Sequence, residues 1–121
     1  MNLALWILQG LLALAFAAGG TMKLVSPREK LIANKMTWAA DFSDGQVKLI
    51  GLSELLGGIG LVAPWATRIV PVLTPIAAAC LVVIMTGAAV VHIRRKEPAI
   101  PAIVLGVLVA LVAIGRSGIL A

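Results

Sequence analysis

Long apolar runs alternate with short polar stretches along the whole chain. Each run is close to the roughly 20 residues that a helix needs to cross a bilayer core. We therefore predict one domain over residues 1–121, an all-α, integral membrane four-helix transmembrane bundle. The predicted spans are about residues 3–20, 46–62, 69–91 and 98–118.

The polar stretch between the first two runs predicts a short helix of its own. Ser26-Pro27-Arg28-Glu29 is typical of a helix start, with Ser26 as the cap, Pro27 in the first position and Glu29 closing a capping box. Beyond it the apolar residues share one arc of a helical wheel, and we expect a short interfacial amphipathic helix between helices 1 and 2, with Lys35 snorkelling; a solvated loop is the alternative. The apolar arc is Leu31, Ile32, Met36, Trp38, Ala39 and Phe42, and the opposite arc is Lys30, Asn34, Thr37 and Asp41. Ser43-Asp44-Gly45-Gln46 predicts a second capping box at the start of the next span.

Composition supports a membrane protein and indicates its orientation. The chain is 61% hydrophobic and 12% charged, with a mean hydropathy of +1.09, which excludes an ordinary soluble domain. The net charge of +5 comes from basic residues at the ends of apolar runs, so lipid headgroups, not nucleic acid, are the expected partner. Eight Lys and Arg flank or fill the first and third connections and two lie on the opposite side. This bias predicts a multi-pass cell membrane protein with connections one and three in the cytoplasm and both termini outside.

One carboxylate, Glu54, lies within the apolar second span. Gly51, Gly57 and Gly58 lie three or four residues from it and share its side of the helix. Small residues mark the faces on which membrane helices pack, so Glu54 is expected to point into the bundle. An acid exposed to lipid at mid-membrane would cost roughly 2.5 to 3.5 kcal/mol, so a partner, a water pocket or protonation is expected.

The first span supplies two candidate partners for Glu54 on one predicted packing face, made of Gln9, Ala13, Ala17, Gly20 and Lys23. Lys23 is the preferred partner, although its expected depth differs from that of Glu54 by about 12 Å, which calls for a bridging water or a tilted helix. Gln9 is expected nearer in depth and can hydrogen-bond a protonated carboxyl. The structural alternative is that these groups only set the register of the helices.

A third small-residue face is predicted in the last span. It consists of Ala102, Gly106, Ala110, Ala113 and Ser117. All the small faces can be used within one bundle, or one of them can mediate a homo-oligomer.

The remaining polar groups limit the chemistry. His92, the single histidine, is predicted either as an interfacial residue at a helix C-terminus or as a group that delivers protons or binds a quinone head. A bis-histidine haem, an intrachain disulfide and a metal-ligand cluster are thereby excluded, because the chain has one His and one Cys. Cys80, Thr74 and Thr86 are expected to pack or to bond to their own helix. No catalytic residue is assigned, and the candidate intramembrane polar site is Glu54, Lys23, Gln9 and His92.

Several motifs together resemble the DoxX-like family of small four-helix membrane proteins. They are AAGGTMKL at 17–24, SPREKL, W-x-x-DFS, VKLIGLSELLGGIGLVAP at 47–64 and HIRRKE, and they cover nearly the whole chain. The resemblance implies a four-helix transmembrane fold and, for some relatives, association with thiosulfate:quinone oxidoreductase or other membrane redox assemblies. It carries over no catalytic residue.

Three hypotheses follow for function. The preferred one is a quinone-associated or accessory subunit of a membrane redox assembly, with no intrinsic cofactor and with quinone or a redox protein as its partner. The second is a small proton-coupled transporter that uses Glu54, although a chain with no Tyr and two Phe offers little for caging an organic cation. The third is an enzyme on a lipid-soluble substrate, with Glu54 and Lys23 or His92 as an acid–base pair.

Overall fold

The computed structural model of the protein describes residues 2–33 and 37–117, and within them all regular structure is helical. The predicted all-α four-helix bundle is confirmed. Its long helices are α1 (Asn2–Val25), α3 (Asp44–Thr67), α4 (Leu73–Arg94) and α5 (Ile100–Arg116), and α1 is joined to α3 through the short α2 (Arg28–Ala33) and a 3-10 helix (Thr37–Asp41).

Three of the long helices are long and apolar enough to cross a membrane. α1 and α3 have 24 residues each and α4 has 22, which corresponds to about 36, 36 and 33 Å against a hydrocarbon core of roughly 30 Å. α5 has 17 residues and rises about 25 Å. It is shorter than its predicted span because it begins after Pro98, at Ile100, and ends at Arg116; residue 118 lies outside the described residues.

The other predicted boundaries were wrong by a few residues for local reasons. α1 continues past Gly20 to Val25, because Lys23 turns into the bundle and does not end the helix. α3 begins at Asp44 with the predicted capping box, in which Ser43 Oγ accepts from Gln46 N at 3.1 Å and Gln46 Oε1 accepts from Ser43 N at 2.9 Å. α4 begins four residues later than predicted, after a turn in which Arg68 and Val70 have positive φ.

The helices form a ring in which α3 packs on α1, α4 on α3, and α5 on α4 and again on α1. The bundle therefore has two ends. The Lys23 end holds the end of α1, the start of α3, the end of α4 and the start of α5, and the Trp6 end holds the opposite termini. The core between them is apolar and consists of Leu12, Phe16, Leu61, Ala78, Leu81, Met85, Ala102, Val109 and Val112.

α1 and α3 approach each other at backbone contact. A Cβ on Gly20 would lie 2.5 Å from the Gly51 carbonyl oxygen, and one on Gly51 would lie 2.8 Å from the Gly20 carbonyl oxygen. The predicted packing face of α1 is confirmed, because Gly58 meets the backbone of Ala13 in the same way. Gly57 instead faces Leu81 of α4, so the glycines around Glu54 serve two neighbouring helices.

The small-residue face predicted for α5 is only partly correct. The buried residues of this helix are Ala102, Val109, Val112 and Arg116, whereas Ser117 is exposed. Val109 and Val112 pack in the core, and hydrogen bonds from Arg116 to α1 draw the helix end inward, so α5 is rotated away from the predicted face.

The connection between α1 and α3 packs on the bundle through its apolar arc. Leu31, Ala39 and Val47 are buried there, and Ile32, Trp38 and Phe42 pack against them. The predicted interfacial helix consists, in the described residues, of two short pieces, and Asn34, Lys35 and Met36 lie outside the described residues. α2 begins one residue later than expected, because Lys30 N and Leu31 N donate to the Pro27 carbonyl.

The outer surface of the bundle is apolar. Large hydrophobic side chains are exposed on all four long helices, for example Leu14 at 71%, Leu49 at 63%, Val83 at 71% and Val107 at 56%. Water would not favour such a surface, whereas acyl chains match it.

Candidate functional site

Lys23 and Glu54 form a direct ion pair inside the bundle. Lys23 Nζ donates to Glu54 Oε1 at 2.7 Å and to Oε2 at 2.8 Å. The two side chains are 12% and 6% exposed, so the contact is largely shielded from solvent. The predicted partner is therefore confirmed, and no bridging water is needed.

The expected depth difference of about 12 Å was wrong. Lys23 Cβ lies 2.8 Å from where a Cβ of Gly51 would be, so Lys23 is level with a residue one helical turn from Glu54. Because α1 runs on to Val25 and Gly20 and Gly51 let the backbones touch, the two side chains meet directly. Gly19 completes the packing, since a Cβ there would lie 3.5 Å from Glu54 Oε2.

Lys48 closes the end of α1 beside the ion pair. Its Nζ donates to the carbonyl oxygens of Lys23 at 3.0 Å and Ser26 at 2.6 Å. A cation at a helix C-terminus satisfies carbonyls that lack intrahelical donors and opposes the negative end of the helix dipole. Lys48 was interpreted from the sequence only as part of the basic bias, so this role was missed.

The ion pair forms part of the wall of a cavity of about 650 Å³ at the Lys23 end. Segments of α1, α3, α4 and α5 enclose it, and most of its lining is apolar. Its polar side chains are Lys23, Glu54 and His92, and its aromatic side chains are Phe16, Trp38 and Phe42. Two glycines, Gly19 and Gly87, leave room in the wall, and a Cβ on Gly87 would meet no atom within 4 Å.

Trp38 and Phe42 line the cavity on the side of the connection between α1 and α3. Lys23 Nζ lies 5.6 Å from the Trp38 ring centroid, a cation–π distance. Phe42 packs edge-to-face on Trp38 with ring centroids 5.9 Å apart. The connection between α1 and α3 therefore contributes directly to the candidate site.

His92 lies at the last turn of α4 and borders the same cavity. Its Nδ1 is 3.4 Å from Glu97 Oε1, and its carbonyl accepts from Glu97 N at 2.8 Å. The imidazole is about a quarter exposed, which suits a group at the boundary between the cavity and the polar end of the bundle.

Gln9 does not belong to this cavity, so its predicted contact with Glu54 was wrong. Its Nε2 donates to the Leu61 carbonyl at 2.7 Å, and its Oε1 accepts from Arg116 Nε at 2.7 Å. Three of the four predicted site residues therefore come together, and Gln9 belongs to a second polar cluster at the Trp6 end. The expected depth of Gln9 was also wrong, because Gln9 meets α3 at Leu61, about two helical turns from Glu54.

Pro64 explains why a side chain of another helix bonds to the Gly60 carbonyl of α3 near the Trp6 end. A proline within a helix has no N–H for the carbonyl four residues earlier, which here is Gly60. Thr74 Oγ1 donates to that carbonyl at 2.9 Å, and Gln9 donates to the next one, Leu61. Neighbouring membrane helices commonly satisfy such carbonyls. Thr74 is packed inside the bundle, which was one of the two expectations for it, but its hydroxyl bonds to α3 and not to its own helix. Thr86 bonds to its own helix, to the Val82 carbonyl at 2.8 Å.

The cavity can bind a largely apolar molecule that carries one or two polar groups. Lys23 and His92 offer donors, and Glu54 offers an acceptor that can also take a proton. The described residues contain no group of His, Cys, Asp and Glu that could hold a metal ion. Cys80, which was expected to pack or to bond to its own helix, is exposed on α4 and does not line this cavity.

Comparison with known proteins supports the family that the motifs indicate. A family model described as the DoxX-like family matches residues 7–115. Comparison with curated proteins gives no match, and comparison with solved structures also gives none. The chain therefore belongs to the DoxX-like family, as a multi-pass membrane protein built from apolar helices.

Proposed function

We propose that the protein is a membrane subunit that binds a quinone-type molecule in the cavity at the Lys23 end and presents it to a redox partner. The observation that carries the proposal is a Lys–Glu pair on the wall of a cavity of about 650 Å³ whose lining, apart from this pair and His92, is mostly apolar. Sites for small molecules are typically clefts of roughly 300 to 1,000 Å³ with apolar walls and few polar groups. A quinone ring with part of its isoprenoid tail has this size and polarity.

The polar groups match the two oxidation states of a quinone. Lys23 Nζ has three protons, and Glu54 accepts two hydrogen bonds from it. One proton of Lys23 is left for a quinone carbonyl, and His92 can donate to the second carbonyl. In the reduced state a quinol hydroxyl donates, and Glu54 or His92 can accept its proton.

Exposed residues in the lining of the cavity indicate where a ligand would enter from the bilayer. Ala15 of α1 and Pro101 of α5 line it and are exposed. At the Trp6 end the same two helices are joined, since Arg116 bonds to Gln9 and Asn2. A lipid-soluble molecule would therefore enter between α1 and α5, on the side of the Lys23 end.

Electrons would come from a partner. The chain has one Cys and one His, so it cannot form a dithiol or a bis-histidine haem site by itself. Arg94 is the last residue of α4, and Arg95 and Lys96 follow it at the same end as the cavity. A partner with an acidic surface would dock there.

Proton-coupled transport has less support from the arrangement of the core. A proton leaving Glu54 for the Trp6 end would have to pass Leu12, Phe16, Leu61 and Leu81, which are buried and apolar. The polar cluster with Gln9 lies beyond them.

Quenching of tryptophan fluorescence by a soluble quinone tests the proposal. Trp38 lines the cavity, whereas Trp6 and Trp65 lie at the opposite end. Decylubiquinone added to the detergent-purified protein should give saturable quenching that disappears in Trp38→Phe. Gly87→Leu should weaken binding about tenfold or more by filling the cavity, a loss of at least 1.4 kcal/mol.

Gly10→Leu is the matched control, because Gly10 is also a helical glycine whose Cβ would meet no atom within 4 Å, and it lies outside the cavity. Its binding constant should stay within about twofold of the original protein, well below 1.4 kcal/mol. Quenching that persists in Trp38→Phe, or that Gly87→Leu and Gly10→Leu change equally, would refute binding in the cavity.

A further inference from the structure

The Trp6 end contains a buried guanidinium, that of Arg116, which does not line the cavity. Arg116 is 9% exposed. Its Nε donates to Gln9 Oε1 at 2.7 Å and its Nη1 to Asn2 Oδ1 at 2.8 Å. Its remaining amino nitrogen, Nη2, is buried and has no hydrogen-bond partner among the described residues.

Aromatic rings hold this guanidinium in place. Arg116 Cζ lies 4.7 Å from the Trp65 ring centroid and 5.4 Å from that of Trp6. Arg68 Cζ lies 5.4 Å from the same Trp65 ring, and Arg68 is exposed. Two guanidinium groups therefore lie at cation–π distance from one indole. That of Arg116 is buried, and Arg68 is exposed at the surface.

Among the residues that the structure describes, no acidic side chain lies near the positive charge at this end. The carboxylates whose side chains are described are Glu29, Asp44, Glu54 and Glu97, and all of them belong to the opposite half of the bundle. A buried charge without a counter-charge is costly, and adjacent like charges add to that cost. Amides and indoles lower the cost of a cation but do not neutralise it.

We propose that the Trp6 end binds a phosphate group, with Arg68 as the accessible contact and Arg116 as the fixed positive charge behind it. Arginine presents planar donors that match phosphate oxygens. Trp and Arg at the end of apolar spanning helices lie at the level of lipid headgroups, so the phosphodiester of an anionic membrane lipid is the expected source. This site is separate from the cavity and does not depend on quinone binding.

The test measures lipid retained by the detergent-purified protein, using native mass spectrometry. Dioleoylphosphatidylglycerol is compared with dioleoylglycerol, which has the same acyl chains and lacks the phosphate. The proposal expects the phosphate-bearing lipid to be retained preferentially. Arg68→Asn should raise its apparent Kd about tenfold, and Asn tolerates the positive φ of 60° at this position.

Lys96→Asn is the matched control. It removes one positive charge at a residue of nearly the same φ, 58°, at the opposite end of the bundle. It should change the apparent Kd less than about twofold. Equal effects of Arg68→Asn and Lys96→Asn would show unspecific attraction to a basic surface and overturn the proposal, as would equal retention of the two lipids.

A third arm separates two sources of phosphate. Inorganic phosphate is added to delipidated protein, and thermal unfolding is followed by tryptophan fluorescence. Stabilisation by phosphatidylglycerol, lost in Arg68→Asn and not reproduced by millimolar inorganic phosphate, supports a lipid headgroup. Stabilisation by inorganic phosphate that is lost in the same variant supports the anion site with a free anion as its ligand.

Discussion

At the Lys23 end a largely shielded ammonium faces a carboxylate, whereas at the Trp6 end a buried guanidinium faces two amides and two indoles. The ammonium pair borders a cavity, and the guanidinium closes the seam between α1 and α5. The difference separates two uses of a buried cation in a membrane bundle. A charge pair on a cavity wall is suited to a neutral ligand, and an uncompensated cation is suited to an anionic one.

The largest expected effect is at the ion pair. Glu54→Leu leaves the Lys23 ammonium without its partner, and breaking a buried pair typically costs about 3 to 5 kcal/mol. Lys23→Met combined with Glu54→Leu should recover most of this loss, because no buried charge remains. Unfolding in mixed detergent micelles, followed by circular dichroism, measures both free energies. A single-variant cost below about 1 kcal/mol would mean that the pair is effectively solvated.

A smaller loss is expected at the Trp6 end. Arg116→Met removes two hydrogen bonds and leaves Gln9 Oε1 unsatisfied, which should cost about 2 to 3 kcal/mol. No opposite charge is left behind, so the loss should be smaller than that of Glu54→Leu. Asn2→Ala, which removes an exposed partner of Arg116, should cost less than about 1 kcal/mol. Equal losses in Arg116→Met and Glu54→Leu would contradict the contrast between the two ends.

The sequence could predict the Lys23 end more successfully than the Trp6 end. Small residues at helical spacing identified the faces of α1 and α3 that pack, and Lys23 shares that face, so its pairing with Glu54 follows. The depth difference was wrong because α1 was expected to end at Gly20. The amino-acid sequence alone does not show that α1 continues to Val25 or that Gly20 and Gly51 let the two helix backbones touch.

The Trp6 end was missed because Arg116, near the C-terminus, was counted only as a charge that sets the orientation in the membrane. One signal was available: Gln9 is the single polar residue within the first apolar run after Asn2, and it shares a packing face. Its need for partners was recognised, but antiparallel register brings it to Leu61 and Arg116, not to Glu54. Gln9 and Arg116 are 107 residues apart in the sequence. Their contact depends on how α1 and α5 pack, which the pattern of polar and apolar residues along the chain does not show. The predicted orientation in the membrane stays a prediction.

A third test concerns the backbone carbonyl of Gly60 near the Trp6 end, which accepts its hydrogen bond from an uncharged side chain, that of Thr74. Thr74→Val removes the donor to the Gly60 carbonyl that Pro64 leaves without an N–H, and we expect a loss of about 1 to 2 kcal/mol. In a Pro64→Ala background the helix supplies its own N–H, and the same change should cost less than about 0.5 kcal/mol. A double-mutant cycle in micelles gives this coupling. Independent effects of the two substitutions would show that Thr74 does not compensate for Pro64.

The smallest effect is expected from substitutions at two glycines that have free space beside them, Gly87 in the cavity wall and Gly10 outside the cavity. Gly87→Ala and Gly10→Ala each add a methyl group that meets no atom within 4 Å, and each should stabilise its helix by about 0.5 to 1 kcal/mol through reduced backbone entropy. Only Gly87→Ala places that methyl in the cavity wall, so only it should weaken decylubiquinone binding, by about twofold to fivefold. Equal stabilisation with unequal binding separates the cavity from general helix stability. If both variants bind the quinone as the original protein does, the molecule does not occupy the space beside Gly87.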